Sequence, residues 1–140
     1  MNITDNQNEE KNGFRILVVD DDPGMLEVTA LLLGHEGYNV TKAVGSSEAL
    51  IILKEEHTLF DLVLTDYNMP VINGIDLAMS IRELSDELPV ILYTGKNDNI
   101  NDMLKEKARI SAVATKPCTV NRLDKIIKDV ISEKGRKYVM

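Results

Sequence analysis

Six polar residues stand where short apolar runs stop: Asp20, Asp21 and Asp22 after ILVV, Asp66 after LVLT, Thr94 after VILY, and Lys116 after AVAT. Carboxylates, a hydroxyl and an ammonium are together the groups that hold a divalent cation and a phosphoryl group. Three consecutive carboxylates beyond a buried strand repel one another and raise one another's pKa unless positive charge sits among them. Mg²⁺ prefers oxygen ligands, so Asp21 and Asp66 with a phosphoryl oxygen make a suitable set, with Asp20 holding a metal-bound water. Asp22, followed by Pro23, has the pattern of a helix N-cap and turns outward. A carboxylate at Asp66 can attack phosphorus and form an acyl phosphate. Thr94 can donate to a phosphoryl oxygen, and Lys116 can offset phosphoryl charge or pair with Asp66 when no phosphate is bound. Each residue also has a plainer role: turn and cap for the aspartates, strand end for the threonine, solvated surface for the lysine. The four positions taken together are far more specific than any one of them.

Chemistry of this kind requires the residues to converge, and the intervening sequence is patterned to do that. β-Branched apolar runs occur at Arg15 to Val19, Tyr38 to Ala43, Leu59 to Leu64, Val90 to Tyr93 and Ala112 to Thr115, several of them continuously apolar as strands covered on both faces must be. Helical spacing separates them: Leu26, Ala30 and Leu33; Ala49, Leu50 and Leu53; Ile75, Ala78 and Ile81; Ile100, Met103 and Leu104; and after the last strand Val120, Leu123, Ile126, Ile127 and Val130. Gly37 suits a helix stop and Thr119 a helix start. Pro70 and Gly74 set a stiff loop after Asp66 with room for close backbone approach. The reading is (βα)₅, an α/β protein with a parallel sheet and helices on both faces. Right-handed crossovers then bring the ends of strands one, three, four and five to one edge, where open α/β sheets bind ligands.

Composition bounds the function. A chain of 140 residues with 44% hydrophobic content supports one domain with a real core. The net charge of -7, with no basic stripe, argues against a nucleic-acid partner. No apolar run approaches the roughly 20 residues needed to cross a bilayer, and no signal peptide opens the chain, which points to a cytoplasmic location without membrane attachment. One cysteine, Cys118, excludes an internal disulfide, and His35 and His57 lack zinc spacing. Residues 1–13 read as a disordered polar tail, 14–133 as the folded domain, and 134–140 as a C-terminal tail that begins to fray near Glu133.

From about Phe14 to Ser132 the sequence resembles the receiver domains of two-component response regulators, the CheY-like superfamily. The resemblance rests on ILVVDDDP, DLVLTDYNMPVINGIDL, VILYTG and TKP in order and at matching intervals. It implies a doubly wound, flavodoxin-like five-stranded sheet of order 2-1-3-4-5. It also implies Mg²⁺ (with Mn²⁺ able to substitute) held by Asp20, Asp21, Asp66 and the carbonyl of Asn68. Asp66 is then the phosphoacceptor, Thr94 the switch hydroxyl, and Lys116 the charge-reading lysine, its bond to Pro117 cis. The implied partners are a sensor histidine kinase or histidine phosphotransfer protein and a downstream target protein. Such a chain is a signalling switch that catalyses only its own Mg²⁺-dependent phosphorylation and dephosphorylation, with Asn68 and Lys96 governing access of hydrolytic water.

Two positions depart from the family pattern. Receivers commonly carry an aromatic three residues before the lysine, where this chain has Val113, so signalling rests on the Thr94 shift and on the fourth helix and fifth strand. The residue after Pro117, often Phe, is Cys118, read as a small packing residue. A rival is a haloacid-dehalogenase-type phosphatase built on Asp20, Asp22, Thr94 and Lys116. It would require a further acidic pair, whereas Asp124, Asp129 and Glu133 fall in an amphipathic helix, and it gives Asp66 no role. A receiver-fold scaffold that is never phosphorylated is a third reading. With no room for an output module after the fifth helix, the expectation is a single-domain regulator or hybrid-kinase-type receiver. It would act through protein contacts on the face of the fourth helix, fifth strand and fifth helix.

Overall fold

The computed structural model describes residues 13–95 and 98–137, the side chains through Glu133. The expected tail over residues 1–12, Lys96 and the last residues lie outside the described residues. The elements run β1 (Arg15–Asp20), α1 (Pro23–His35), β2 (Asn39–Val44), α2 (Gly45–Glu56), β3 (Leu62–Asp66), α3 (Gly74–Leu84), β4 (Val90–Thr94), α4 (Asp102–Ala108), β5 (Ala112–Thr115) and α5 (Val120–Lys137). All neighbouring strands pair in parallel, in the order β2-β1-β3-β4-β5, as expected.

Continuous apolarity marks the strands covered on both faces. β1 from Ile16 to Val19 and β3 from Leu62 to Leu64 are almost without exposure, and β4 nearly so. The edge strands β2 and β5 are more exposed, each with a single buried residue, Ala43 and Ala114. Two apolar clusters fill the two faces. One joins Leu26 and Leu33 of α1 and Leu123, Ile127 and Val130 of α5 to Ile16, Val18, Leu62, Leu64, Ile91 and Ala114. The other joins Ala49 and Leu53 of α2, Leu77, Ala78 and Ile81 of α3 and Ala108 of α4 to Leu17, Val19, Val63 and Val90. Tyr38, at the entry to β2, donates its hydroxyl to Asp124 Oδ1 at 2.5 Å, which ties α5 to the far side of the sheet. On β2 itself, Lys42 reaches Glu27 of α1 at 2.5 Å.

Helix ends follow the expected signals. Asp22 Oδ1 accepts from Gly24 N at 2.9 Å and from Met25 N at 3.2 Å with Pro23 in the first turn, and Gly37 takes φ 102° after α1. The Asn73 side chain accepts from Asp76 N, which with the reciprocal contact of Asp76 forms a capping box at α3. Thr119 Oγ1 accepts from Arg122 N at 3.2 Å at the start of α5.

Two sequence expectations are corrected. β3 begins at Leu62 and not Leu59, because His57–Leu59 forms a 3₁₀ turn that leaves Leu59 half exposed. The spacing of Ile100, Met103 and Leu104 does not make a buried helix face. Ile100 precedes α4, and Met103 is 78% exposed and Leu104 42%, because this short helix is held by the Asn101 cap and the left-handed Arg109 with Ala108 as its buried residue. The helix α5 extends through Lys137.

Candidate functional site

The order of the strands places Asp20, Asp66, Thr94 and Lys116 along the carboxyl edge of the sheet, at the ends of β1, β3 and β4 and just past β5. Asp20, Asp66 and Thr94 are buried and Asp21 is exposed. Carboxylate oxygens of Asp20, Asp21 and Asp66 lie within 4.8 Å of one another. Lys116 reaches across from β5, its Nζ 3.1 Å from Asp66 Oδ1.

Charge among these groups is unbalanced toward the negative. Burial pushes the Asp20 carboxyl above its ordinary range, and the nearby Asp66 and Asp21 push it the same way. The N–H of Asp22, 2.9 Å from Asp20 Oδ1, and the Lys116 ammonium pull against them without prevailing. Carboxylate oxygens as the donor set, and a buried carboxylate that lacks compensating charge, fit a hard divalent cation such as Mg²⁺. Asn68 follows in the exposed part of the loop.

The loop from Tyr67 to Asn73 is held tightly under the site. Tyr67 N donates to Tyr93 O at 3.1 Å, Gly74 N donates to Tyr67 O at 2.8 Å, and Ser46 Oγ of α2 donates to Ile72 O at 3.0 Å. A Cβ at Gly74 would meet Asp66 O at 2.7 Å and the Cα of Tyr67 at 2.9 Å, so the close approach read from the sequence is realised. Val71 at the loop tip takes φ 68° and is 99% exposed. After β4, Gly95 N donates to Asp98 Oδ2 at 2.7 Å, and Lys116 N donates to Thr94 O at 2.7 Å. The Lys116–Pro117 bond is cis, as the resemblance implied.

Of the four residues the phosphatase reading uses, Asp22 is engaged elsewhere, and Asp124, which lies in a helix as expected, is also occupied. Asp22 caps α1, and Asp124 of α5 accepts from Tyr38 and pairs with Lys128 at 3.0 Å. Val113 leaves no ring at its position on β5 and is 37% exposed. Cys118 is half-buried and packs against the cluster under α1 and α5, consistent with a packing role. Sequence reading missed Asp98, which closes the loop after Thr94, and Tyr93, whose ring lies 4.9 Å from Lys116 Nζ. The tyrosine looks like any apolar strand residue until the strands are placed side by side.

A family profile described as the response regulator receiver domain matches residues 16–128, from the second residue of β1 into α5. The chain belongs to that family. Among solved structures, this receiver domain is similar to a response regulator receiver domain protein from Clostridium thermocellum, with TM-score 0.82 and 32% identity over 91% of this chain and 99% of that one. A CheY-like receiver domain protein from Methanospirillum hungatei superposes with TM-score 0.81 and 30% identity, over 90% of this chain and 99% of that one. Among curated relatives, the transcriptional regulatory protein GlrR of Escherichia coli is 31% identical over 118 residues, 84% of this chain and 26% of GlrR. The DNA-binding response regulator MtrA of Mycolicibacterium smegmatis is 35% identical over 103 residues, 74% of this chain and 44% of MtrA. This receiver domain thus spans about a quarter of GlrR and under half of MtrA. Among its described residues no helix is long and apolar enough to cross a membrane.

Proposed function

We propose that this receiver domain accepts a phosphoryl group on Asp66 from the phosphohistidine of a sensor histidine kinase or a histidine phosphotransfer protein, and passes the signal on by protein contacts. The observation that carries the reading is the Lys116 ammonium 3.1 Å from the buried Asp66, whose carboxylate clusters with those of Asp20 and Asp21 at the sheet edge. An Asp66 oxygen attacks phosphorus in line. The O–P bond forms as the P–N bond to the donor imidazole breaks, and the electron pair returns to the ring nitrogen, which takes a proton. Lys116 then exchanges the Asp66 carboxylate for a phosphoryl oxygen, and the Thr94 hydroxyl donates to another. Asp20, Asp21, Asp66 and the Asn68 carbonyl are the ligand set for Mg²⁺ or Mn²⁺. When bound, the cation neutralises phosphoryl charge and orients its oxygens. Water later cleaves the acyl phosphate and resets the chain.

The two arrangements of the loop after Thr94 are the bistable element, and Asp98, which ties Gly95 in the arrangement described, must let go for Thr94 to move. With Val113 in place of an aromatic, the readout rests on this loop and on α4, β5 and α5. We place the protein in the cytoplasm, as a switch and not a turnover enzyme. The test is hydroxylamine-sensitive incorporation of radiolabelled phosphate from a small phosphodonor with Mg²⁺. Wild type is expected to label and Asp66→Asn to remain unlabelled. Equal labelling of the two would sink the assignment of Asp66.

A further inference from the structure

Lys116 and Asp66 do not sit on adjacent strands. Asp66 ends β3, Lys116 follows β5, and β4 runs between them. Strands are spaced roughly 4.8 Å apart, so the backbones of β3 and β5 stand about 10 Å apart, and the lysine stem must extend past the end of β4 to meet the Asp66 side chain. A lysine stem is flexible, and its extended placement costs side-chain entropy unless something along the path holds it.

Tyr93 stands on that path. It is in register with Asp66 on one side and Ala114 on the other, and its carbonyl accepts from the N–H of Tyr67, directly after Asp66. The side chain packs against the cluster under α1 and α5 that contains Ile91 and Ala114. From there the face of the ring lies 4.9 Å from Lys116 Nζ, within the range in which an ammonium is attracted to a π-face. The ammonium therefore rests between a ring and a carboxylate, 3.1 Å from Asp66 Oδ1. Alternation along β4 puts Tyr93 on the opposite face from Thr94, and its cross-strand partner is Ala114 and not Val113, so the ring is not a displaced substitute for the absent β5 aromatic.

We infer that Tyr93 is a positioning residue for phosphoryl transfer: its ring carries the Lys116 ammonium past the end of β4 and holds it at Asp66. The inference rests on the receiver reading of Asp66 and Lys116, and adds that the lysine depends on an aromatic face beside it. It predicts that the ring matters and the hydroxyl does not.

Two measurements on the full chain test this. In carbon-edited NMR of the unphosphorylated protein, the Lys116 ε-methylene protons, assigned by their loss in Lys116→Arg, should lie upfield of those of the other lysines. The ring-current shift should persist in Tyr93→Phe and vanish in Tyr93→Leu. The initial rate of Asp66 phosphorylation by acetyl phosphate with Mg²⁺ should stay within about twofold of wild type in Tyr93→Phe and fall roughly three- to thirtyfold in Tyr93→Leu, the range of a cation–π contact converted to rate. Thermal unfolding of each variant checks that Leu still fills the cluster. An unshifted Lys116 signal in the wild type, or a folded Tyr93→Leu protein that phosphorylates at the wild-type rate, overturns the inference. A wild-type chain that takes no phosphoryl group at all overturns the phosphoacceptor reading of Asp66 instead, and the ring-current shift then decides the placement of Lys116 by itself.

Discussion

Gly74 lies against the backbone of Asp66: a β-carbon added at position 74 would stand 2.7 Å from the Asp66 carbonyl oxygen, 2.9 Å from Tyr67 Cα and 3.0 Å from Leu92 Cδ2. Two of those neighbours are backbone, which cannot rotate away. The first turn of α3 is therefore pressed onto the end of β3, and the same glycine donates its N–H to Tyr67 O at 2.8 Å. Gly74→Ala is expected to push α3 off the strand and lower stability by about 1–3 kcal/mol, the usual cost of overpacking. It should also slow phosphorylation of Asp66, whose backbone it displaces. Urea unfolding and labelling from acetyl phosphate measure the two effects. An alanine variant as stable and as reactive as wild type would mean that the helix has slack the geometry does not reveal.

Asp20 is buried with its carboxyl pushed above its ordinary value of 3.8, first by burial and then by Asp66 and Asp21. Its folded state favours the protonated form. Whatever Asp20 contributes to stability is therefore fully present below pH 3.8 and is lost as pH rises through the elevated value, leaving a net cost at neutrality. Asp20→Asn should raise the melting temperature of the metal-free protein at pH 7. The gain should shrink as pH falls toward 3.8, and adding Mg²⁺ should stabilise wild type more than the variant. Melting curves across pH, with chelator and with Mg²⁺, test all three. A variant less stable than wild type at neutral pH without metal would contradict the charge imbalance.

Val71 is β-branched, held at φ 68°, and 99% exposed, so no packing offsets its backbone. The left-handed region costs an ordinary L-residue roughly 1–2 kcal/mol, and Asn tolerates it best among residues with a β-carbon. Val71→Asn is expected to stabilise the chain by about 1 kcal/mol, seen as a higher denaturant midpoint at unchanged slope. A lower midpoint would show that the valine makes a contact worth more than its strain.

How much could be read beforehand depended on whether a residue's role is local. β1 and β3 announce themselves because a strand covered on both faces must be apolar throughout, and the residue that ends such a run lands on the sheet edge by topology alone. Asp20, Asp66, Thr94 and Lys116 were legible for that reason, and Asp22 because Pro23 follows it. β3 was misplaced at its start because Leu59 is apolar without being buried, its turn being set by Phe60 N donating to His57 O. α4 misled because its helix is fixed by caps at both ends while Met103 and Leu104 face solvent. The partnership of Tyr93 with Lys116 was out of reach, since it exists only once β4 is known to separate β3 from β5. The left-handed backbone at Val71 was equally hidden, as nothing in NMPVING favours valine there.

The sheet ends at β2 and β5, and a parallel sheet with open borders is a template on which further chains can stack. β5 is 4 residues long and offers few free hydrogen-bonding groups. β2 is longer, but Lys42 in its interior is 2.5 Å from Glu27 of α1, and a strand added alongside would have to accommodate that charged pair. Lys42 is thus one contributor to protection against edge-to-edge aggregation at β2. Exchange of Lys42 for an apolar residue is expected to leave the fold in place while making the molecule prone to self-association at high concentration, which light scattering would detect.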